Sequence, residues 1–169
     1  MKTWHIAAIS ALLLMGLMSW PFVRGHLGYG THVPTNAPIG GDFELTRQDG
    51  REMKLSDLGA EQYWVAFMEP KCIDCPAELR RVESLALPGQ LVVVSADPEL
   101  DPGALGRWVN QYATSAVSFG GGRNALAKTI GRYRLPAVVT EAGLDYPIRW
   151  YQMDSTGTLI QLHAAGFTR

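Results

Sequence analysis

Tyr63-Trp-Val-Ala-Phe-Met-Glu-Pro-Lys-Cys-Ile-Asp-Cys-Pro-Ala-Glu-Leu79 decides how the rest of the chain is read. Tyr63 to Met68 is an unbroken run of strand formers and apolar side chains, which predicts a buried strand, and Pro70 interrupts it. Cys72 and Cys75 follow. Pro76 stands where a first-turn proline is tolerated, ahead of the helix formers Ala77, Glu78, Leu79 and Arg80. The stretch therefore predicts a strand, a short loop and a helix opened by a cysteine pair. A thiol at a helix N-terminus meets the positive end of the macrodipole, which favours the thiolate. Lys71 acts in the same sense and Asp74 against it, so the sequence leaves the net shift on Cys72 unsigned. A second thiol one helical turn on is placed to resolve a mixed disulfide made by the first. The pattern points to a reversible dithiol, with Cys72 attacking and Cys75 resolving.

Other readings of the pair are weaker. A structural zinc site needs four ligands, and the 169-residue chain has these two cysteines and four scattered histidines. A purely structural bridge across so short a loop gains little loop-closure entropy. With 15 basic and 16 acidic residues the net charge is −1, which indicates neither a nucleic-acid groove nor a polybasic membrane surface. The length suits one domain with a proper core plus a targeting segment.

That targeting segment is residues 1–24. Lys2 precedes Ile6 to Val23, eighteen residues without a charge, long for a signal-peptide core and just long enough to cross a bilayer. Trp4 and Trp20 would sit at its two interfaces. Trp20, Pro21, Phe22, Val23 and Arg24 fit no small-x-small cleavage pattern. An uncleaved anchor with its N-terminus inside is preferred over a cleaved signal. Either one exports the cysteines to a compartment where disulfides persist. Residues 25–41, rich in Gly, Pro, Thr and Asn, read as a linker, with His26 and His32 as solvated linker residues. Residues 42–169 make the domain.

Within it, Phe43 to Leu58 predicts a hairpin turned at Asp49-Gly50. Pro76 to about Leu87 predicts a helix whose apolar face is Leu79, Val82, Leu85 and Ala86, with Glu78, Arg81 and Ser84 elsewhere, stopped by Pro88-Gly89. Leu91 to Ala96 predicts a strand covered on both faces. A second helix is expected over Pro102 to Tyr112, a short strand over Ala116 to Phe119, and a third helix over Asn124 to Arg132. Gly120-Gly-Gly122 lacks the spacing of a phosphate loop. A short strand over Pro136 to Thr140 and a hairpin of Ile148 to Met153 with Thr158 to Leu162 complete the pattern. Strands alternating with helices and closed by a hairpin predict an α/β sandwich with a mixed sheet.

In this order the chain resembles the Sco/SenC branch of the thioredoxin-like superfamily, from about Gly40 to Leu162. The marks are Gly40-Gly41-x-Phe43-x-Leu45-Thr46-x-Gln48-Asp49-Gly50, the cysteines followed by Pro76-x-Glu78-Leu79, Val94-Ser95-x-Asp97-Pro98-Glu99-x-Asp101, and Met153-Asp154-x-x-Gly157. The resemblance implies a thioredoxin-like fold and an exported, membrane-anchored protein, its domain on the periplasmic side of the inner membrane. It further implies copper binding or thiol redox chemistry in assembling the copper centre of cytochrome c oxidase. Two departures stand out. The family spaces its cysteines C-x-x-x-C, whereas Cys72 and Cys75 have the C-x-x-C spacing of ResA/TlpA-like thioredoxins. Where the family has a copper-binding histidine after an aspartate, this chain has Asp145-Tyr146-Pro147, and a phenol is a poor copper(I) ligand.

His163 is the remaining candidate third ligand, although a lone histidine there is more often an exposed strand-end residue. Thioredoxin-like folds also set a cis-proline against the cysteine pair; Pro147 is the first candidate and Pro136 the second. The chain leaves no room for the usual final helix, so one flank of the sheet is expected to be thinly covered and open to a partner.

The leading expectation is a thiol–disulfide oxidoreductase requiring no cofactor. Its partners would be an oxidised cysteine-containing protein, an upstream thiol reductant and the membrane, with no nucleic acid. The alternative is a copper(I) metallochaperone binding through Cys72 and Cys75 without redox turnover. A thiol peroxidase ranks lower, since Glu69 holds the Thr/Ser position of the peroxidatic pattern. A degenerate adaptor ranks lower too, since the cysteine pair is intact.

Overall fold

The computed structural model describes residues 38–136, 138–140 and 143–168. The proposed anchor, nearly all of the linker, His26 and His32 lie outside them. Among the described residues no helix is long and apolar enough to cross a membrane.

Among the described residues, nine strands and three α-helices follow one another along the chain. They are β1 (Glu44–Arg47), β2 (Glu52–Lys54), β3 (Gln62–Phe67), α1 (Cys75–Ser84), β4 (Gln90–Val94), α2 (Pro102–Asn110), β5 (Val117–Gly120) and α3 (Arg123–Tyr133). After these come β6 (Val138–Thr140), β7 (Gly143–Asp145), β8 (Arg149–Asp154) and β9 (Leu159–Ala164). Seven strands form one mixed sheet in the order β2-β1-β5-β4-β3-β8-β9. β3, β4 and β5 run parallel, and β8 lies antiparallel on the other edge of β3. This is the α/β sandwich with an N-terminal hairpin that the sequence predicts.

The strand signals are strongest where both faces are covered. Tyr63, Val65 and Phe67 of β3 point into one core with Val92, Val94, Leu126, Tyr133 and Tyr151. Trp64, Ala66 and Met68 point into the other with Val93, Leu79, Val82, Leu105, Val109 and Trp150. Helices α1 and α2 cover the second face; α3 covers the first, into which β1 of the same sheet directs Leu45. Asp49-Gly50 makes the hairpin turn as predicted, with Gly50 at φ +84° and its N–H donating to the Arg47 carbonyl.

Several expectations are corrected. Helix α1 stops at Ser84, and Ala86, assigned to its apolar face, is exposed in a left-handed turn at φ +46°. Glu78, assigned away from that face, is buried. The strand expected from Pro136 begins at Val138 and pairs with β7 in a separate two-stranded ladder. Ile39 to Gly41 belong to the domain rather than to the linker: Ile39 packs on the core, and the Gly41 N–H donates to the Gly157 carbonyl at 2.8 Å. The peptide bonds of the described residues are all trans, so neither Pro136 nor Pro147 is cis. Trans is the favoured isomer of an X-Pro bond wherever the surroundings do not demand the other.

Beyond β9, Ala165 to Thr168 folds under the sheet, where the Phe167 ring stacks on Trp64 at 5.6 Å. The other side of β9 stays thinly covered, with Ile160 51% and Leu162 39% exposed.

Gly89 shows how tightly β4 enters beside β3. Its φ is +93°, and an added Cβ would stand 2.3 Å from the Gln62 carbonyl oxygen. Gly89→Ala should therefore lower stability by about 2–4 kcal/mol, read as a lower urea midpoint at unchanged slope.

Candidate functional site

Strand β3 delivers the chain to the carboxyl end of the parallel strands, where Glu69 to Asp74 form the loop into α1. Cys72 and Cys75 are joined as a disulfide with their Cα atoms 5.4 Å apart. The two sulfurs differ in access. Cys75 is the first residue of α1 and fully buried on the α1–α2 face, whereas Cys72 is partly exposed. The Cys75 N–H, one of the donors that a helix start leaves without a helical partner, donates to Cys72 Sγ at 3.2 Å.

Cys72 opens onto a groove of about 990 Å³. Lys71, Ile73 and Asp74 surround it on the loop, and Ala96 and Asp97 come from the segment after β4. Asp145 to Ile148 form the opposite wall, and Ala164 and Ala165 contribute from the end of β9. Ile73, between the two cysteines, is 92% exposed. Lys71 pairs with Asp97 at 3.9 Å, so its ammonium is engaged by a carboxylate of the groove.

Pro147 lines this groove with Cys72, so the structure brings those two predicted site residues together, in the trans form. Tyr146 lies in the same wall. Its hydroxyl donates to Glu69 Oε1 at 3.3 Å. Burial pushes the phenol pKa well above its ordinary value, and the Glu69 carboxylate pushes it further, so Tyr146 remains a neutral donor at biological pH. His163 is not part of the groove lining. Its ring packs against both Trp64 and Phe167, its Nε2 lies 3.2 Å from Gln152 Oε1, and burial lowers its pKa. Pro136 is exposed and outside the lining as well.

For copper(I), the donor set fits a two-coordinate ion held by the reduced thiolates of Cys72 and Cys75. The other polar groups of the groove are carboxylates, an ammonium and a phenol, which are hard donors or none at all. Among the described residues no three histidine, cysteine, aspartate or glutamate side chains converge on a common metal position.

Sequence reasoning missed the residue that fixes α1 beneath the groove. Glu78, one turn after Cys75, accepts two hydrogen bonds from Arg81 (2.7 and 2.8 Å) and one from Trp150 Nε1 at 3.0 Å. The Gly166 N–H reaches both carboxylate oxygens at 3.3 and 3.4 Å. Arg81 also donates to the Phe167 carbonyl and lies 4.8 Å from that ring's centroid. The i, i+3 spacing of Glu78 and Arg81 was the available signal.

The parallel strands, the helices on both faces and a C-x-x-C pair at a helix start define a thioredoxin-like protein. The SCO1/SenC family model matches residues 31–167, and the chain belongs to that family. The structure is similar to copper-bound ScoI from Arabidopsis thaliana (TM-score 0.69, 22% identity, 76% of this chain and 89% of that one). It is also similar to copper-bound ScoI from Bradyrhizobium japonicum (TM-score 0.63, 26% identity, 77% and 92%). The peroxidoxin BcpB of Mycobacterium tuberculosis shares the fold more distantly (TM-score 0.57, 16% identity, 79% and 89%). Comparison with curated proteins gives no match.

Burial alone would raise the Glu78 carboxyl pKa, but the Arg81 fork and the Trp150 indole outweigh it and hold the group below the ordinary carboxylate range. A folded-state value below the unfolded one gives stability that is present above the ordinary carboxylate pKa and lost as pH falls through the depressed one. Glu78→Gln should cost about 2 kcal/mol near neutrality, less than a fully buried pair because 29% of the Arg81 side chain stays in solvent. Urea midpoints measured from pH 7 down to about 3 should show a shallower acid decline in the variant than in the wild type.

Proposed function

We propose that this protein is an exported, membrane-tethered thiol–disulfide oxidoreductase of Sco/SenC type that reduces cysteine pairs of a cytochrome oxidase copper site during assembly. The observation that carries the reading is the unequal access of the two sulfurs: Cys72 partly exposed in a groove, Cys75 buried behind it at the start of α1. The tether is residues 1–24, which set the domain on the periplasmic face of the inner membrane.

The cycle needs no cofactor. An upstream dithiol reductant supplies two electrons and two protons and opens the Cys72–Cys75 disulfide. The Cys72 thiolate attacks one sulfur of the target's disulfide, and the target's other sulfur leaves as a thiolate and takes up a proton. Cys75 then loses its proton and attacks Cys72 Sγ. The internal disulfide re-forms and the target's second thiolate departs. The buried sulfur is out of reach of a second target, so the mixed disulfide resolves inward. The exposed wall at Asp145 to Pro147 is where target backbone would lie.

A second reading is a copper(I) metallochaperone that uses the same two thiolates without turnover. Solved relatives carrying copper favour it. Copper(I) would then be cargo, held by two sulfurs, with Tyr146 standing where an imidazole would give a third soft ligand.

Cys72→Ser should abolish reduction of a disulfide substrate, whereas Cys75→Ser should accumulate the mixed disulfide with target, visible by mass spectrometry and cleared by added thiol. Retention of the wild-type rate in Cys72→Ser would falsify the oxidoreductase reading.

Anaerobic titration of the reduced, detergent-solubilised full chain against a chromogenic copper(I) chelator separates the two readings. The oxidoreductase reading expects the chelator to win. It also expects Tyr146→His to raise copper(I) affinity at least tenfold and His163→Ala to leave it unchanged. Stoichiometric, tight copper retention by the wild type, lost in Cys72→Ser, would instead support the metallochaperone.

A further inference from the structure

The groove beside Cys72 has a charge that the chain as a whole lacks. The full sequence carries a net charge of −1, yet the groove is lined by four carboxylates, Glu69, Asp74, Asp97 and Asp145, against one ammonium, Lys71. That ammonium is already paired with Asp97. Asp74 and Asp145 are exposed, and among the described residues neither takes part in an ion pair. They belong to opposite walls, Asp74 between the cysteines and Asp145 at the end of β7. Apart from the Cys72 sulfur and the Tyr146 phenol, the remaining lining is apolar and includes Ile73, Pro147, Ile148, Ala164 and Ala165. Ile73, between the two cysteines in sequence, is 92% exposed, where a docking partner would bury it first.

We propose that the groove selects a cysteine-bearing polypeptide segment whose flanks are cationic, lysine or arginine residues on both sides of the target disulfide facing Asp74 and Asp145. The inference rests on the oxidoreductase reading and adds the substrate's charge to it. The proteins the groove receives are then distinguished before any sulfur reacts. Exposed carboxylates at the rim steer a cationic segment inward and turn an anionic one away, while Ile73 and the apolar wall supply contact that does not depend on charge. The steering acts on the rate of encounter, so it weakens as salt shortens the screening length.

The test uses the pre-reduced full chain and two oxidised C-x-x-C peptides that differ only in their flanks, Lys-Lys on each side or Glu-Glu on each side. Hydroxyethyl disulfide serves as an uncharged reference. Single-turnover rate constants should favour the lysine peptide at least tenfold at low ionic strength, and the ratio should fall severalfold in about 0.5 M salt. The double variant Asp74→Asn/Asp145→Asn should bring the low-salt ratio close to one; a variant that keeps the full ratio would overturn the assignment to these two carboxylates. Equal rates for the two peptides, with the reference disulfide reduced, would overturn the charge inference and leave the oxidoreductase reading standing. No reduction of any of the three would overturn both.

Discussion

The constraint on which the architecture depends is that β3 is enclosed on every side. Its two faces are buried in separate cores, and its two edges are bonded to β4 and β8. A strand so enclosed exposes functional groups only where it ends, and in a sheet whose central strands run parallel that place is the carboxyl edge. The loop from Glu69 to Asp74 emerges there. The proline, the two cysteines and the helix start follow within a few residues, so the site's position follows from the burial of the strand before it.

The chemistry follows from how the loop is held. One sulfur begins a helix packed against the sheet, and the other stands in front of it, accepting a backbone N–H. In the proposed exchange, that arrangement would set which sulfur meets a partner and which completes the reaction. The wall opposite holds a phenol bonded to a carboxylate where the family resemblance leads one to look for an imidazole. Membership of the SCO1/SenC family thus coexists, among the described residues, with a site whose soft donors are the two sulfurs, and this balance supports the proposed dithiol exchange over metal transfer.

Much of this was legible in the sequence because the deciding signals were local. The apolar run of Tyr63 to Met68, the β-branched run of Leu91 to Val94 and the turn at Asp49-Gly50 each act through neighbouring residues. What stayed hidden acts through space. Glu78 falls off the apolar face that periodicity assigns to its helix, because nothing local announces that Trp150 and Gly166 bring donors to it. The pairing of β6 with β7 involves two three-residue strands too short to show alternation. His163 looked like a spare ligand because its aromatic neighbours, Trp64 and Phe167, are remote in sequence or not obviously on its face. Ala86 failed for another reason: helical periodicity says which face a residue would occupy, not where the helix stops.

The clamp on α1 also carries a consequence for the order in which the molecule assembles. Glu78 is synthesised long before Trp150 and Gly166, and β3 long before β8, whose Asp154 pairs with Gln62. A nascent chain that has emerged only as far as β7 has β4 available to β3 but leaves the other edge of β3 bare and the Glu78 carboxylate short of two of its donors. Such an intermediate presents an open apolar strand edge and a loosely seated cysteine helix at the same time. Until β8, β9 and the residues after them are in place, the helix that carries Cys75 lacks the Trp150 and Gly166 donors that hold Glu78.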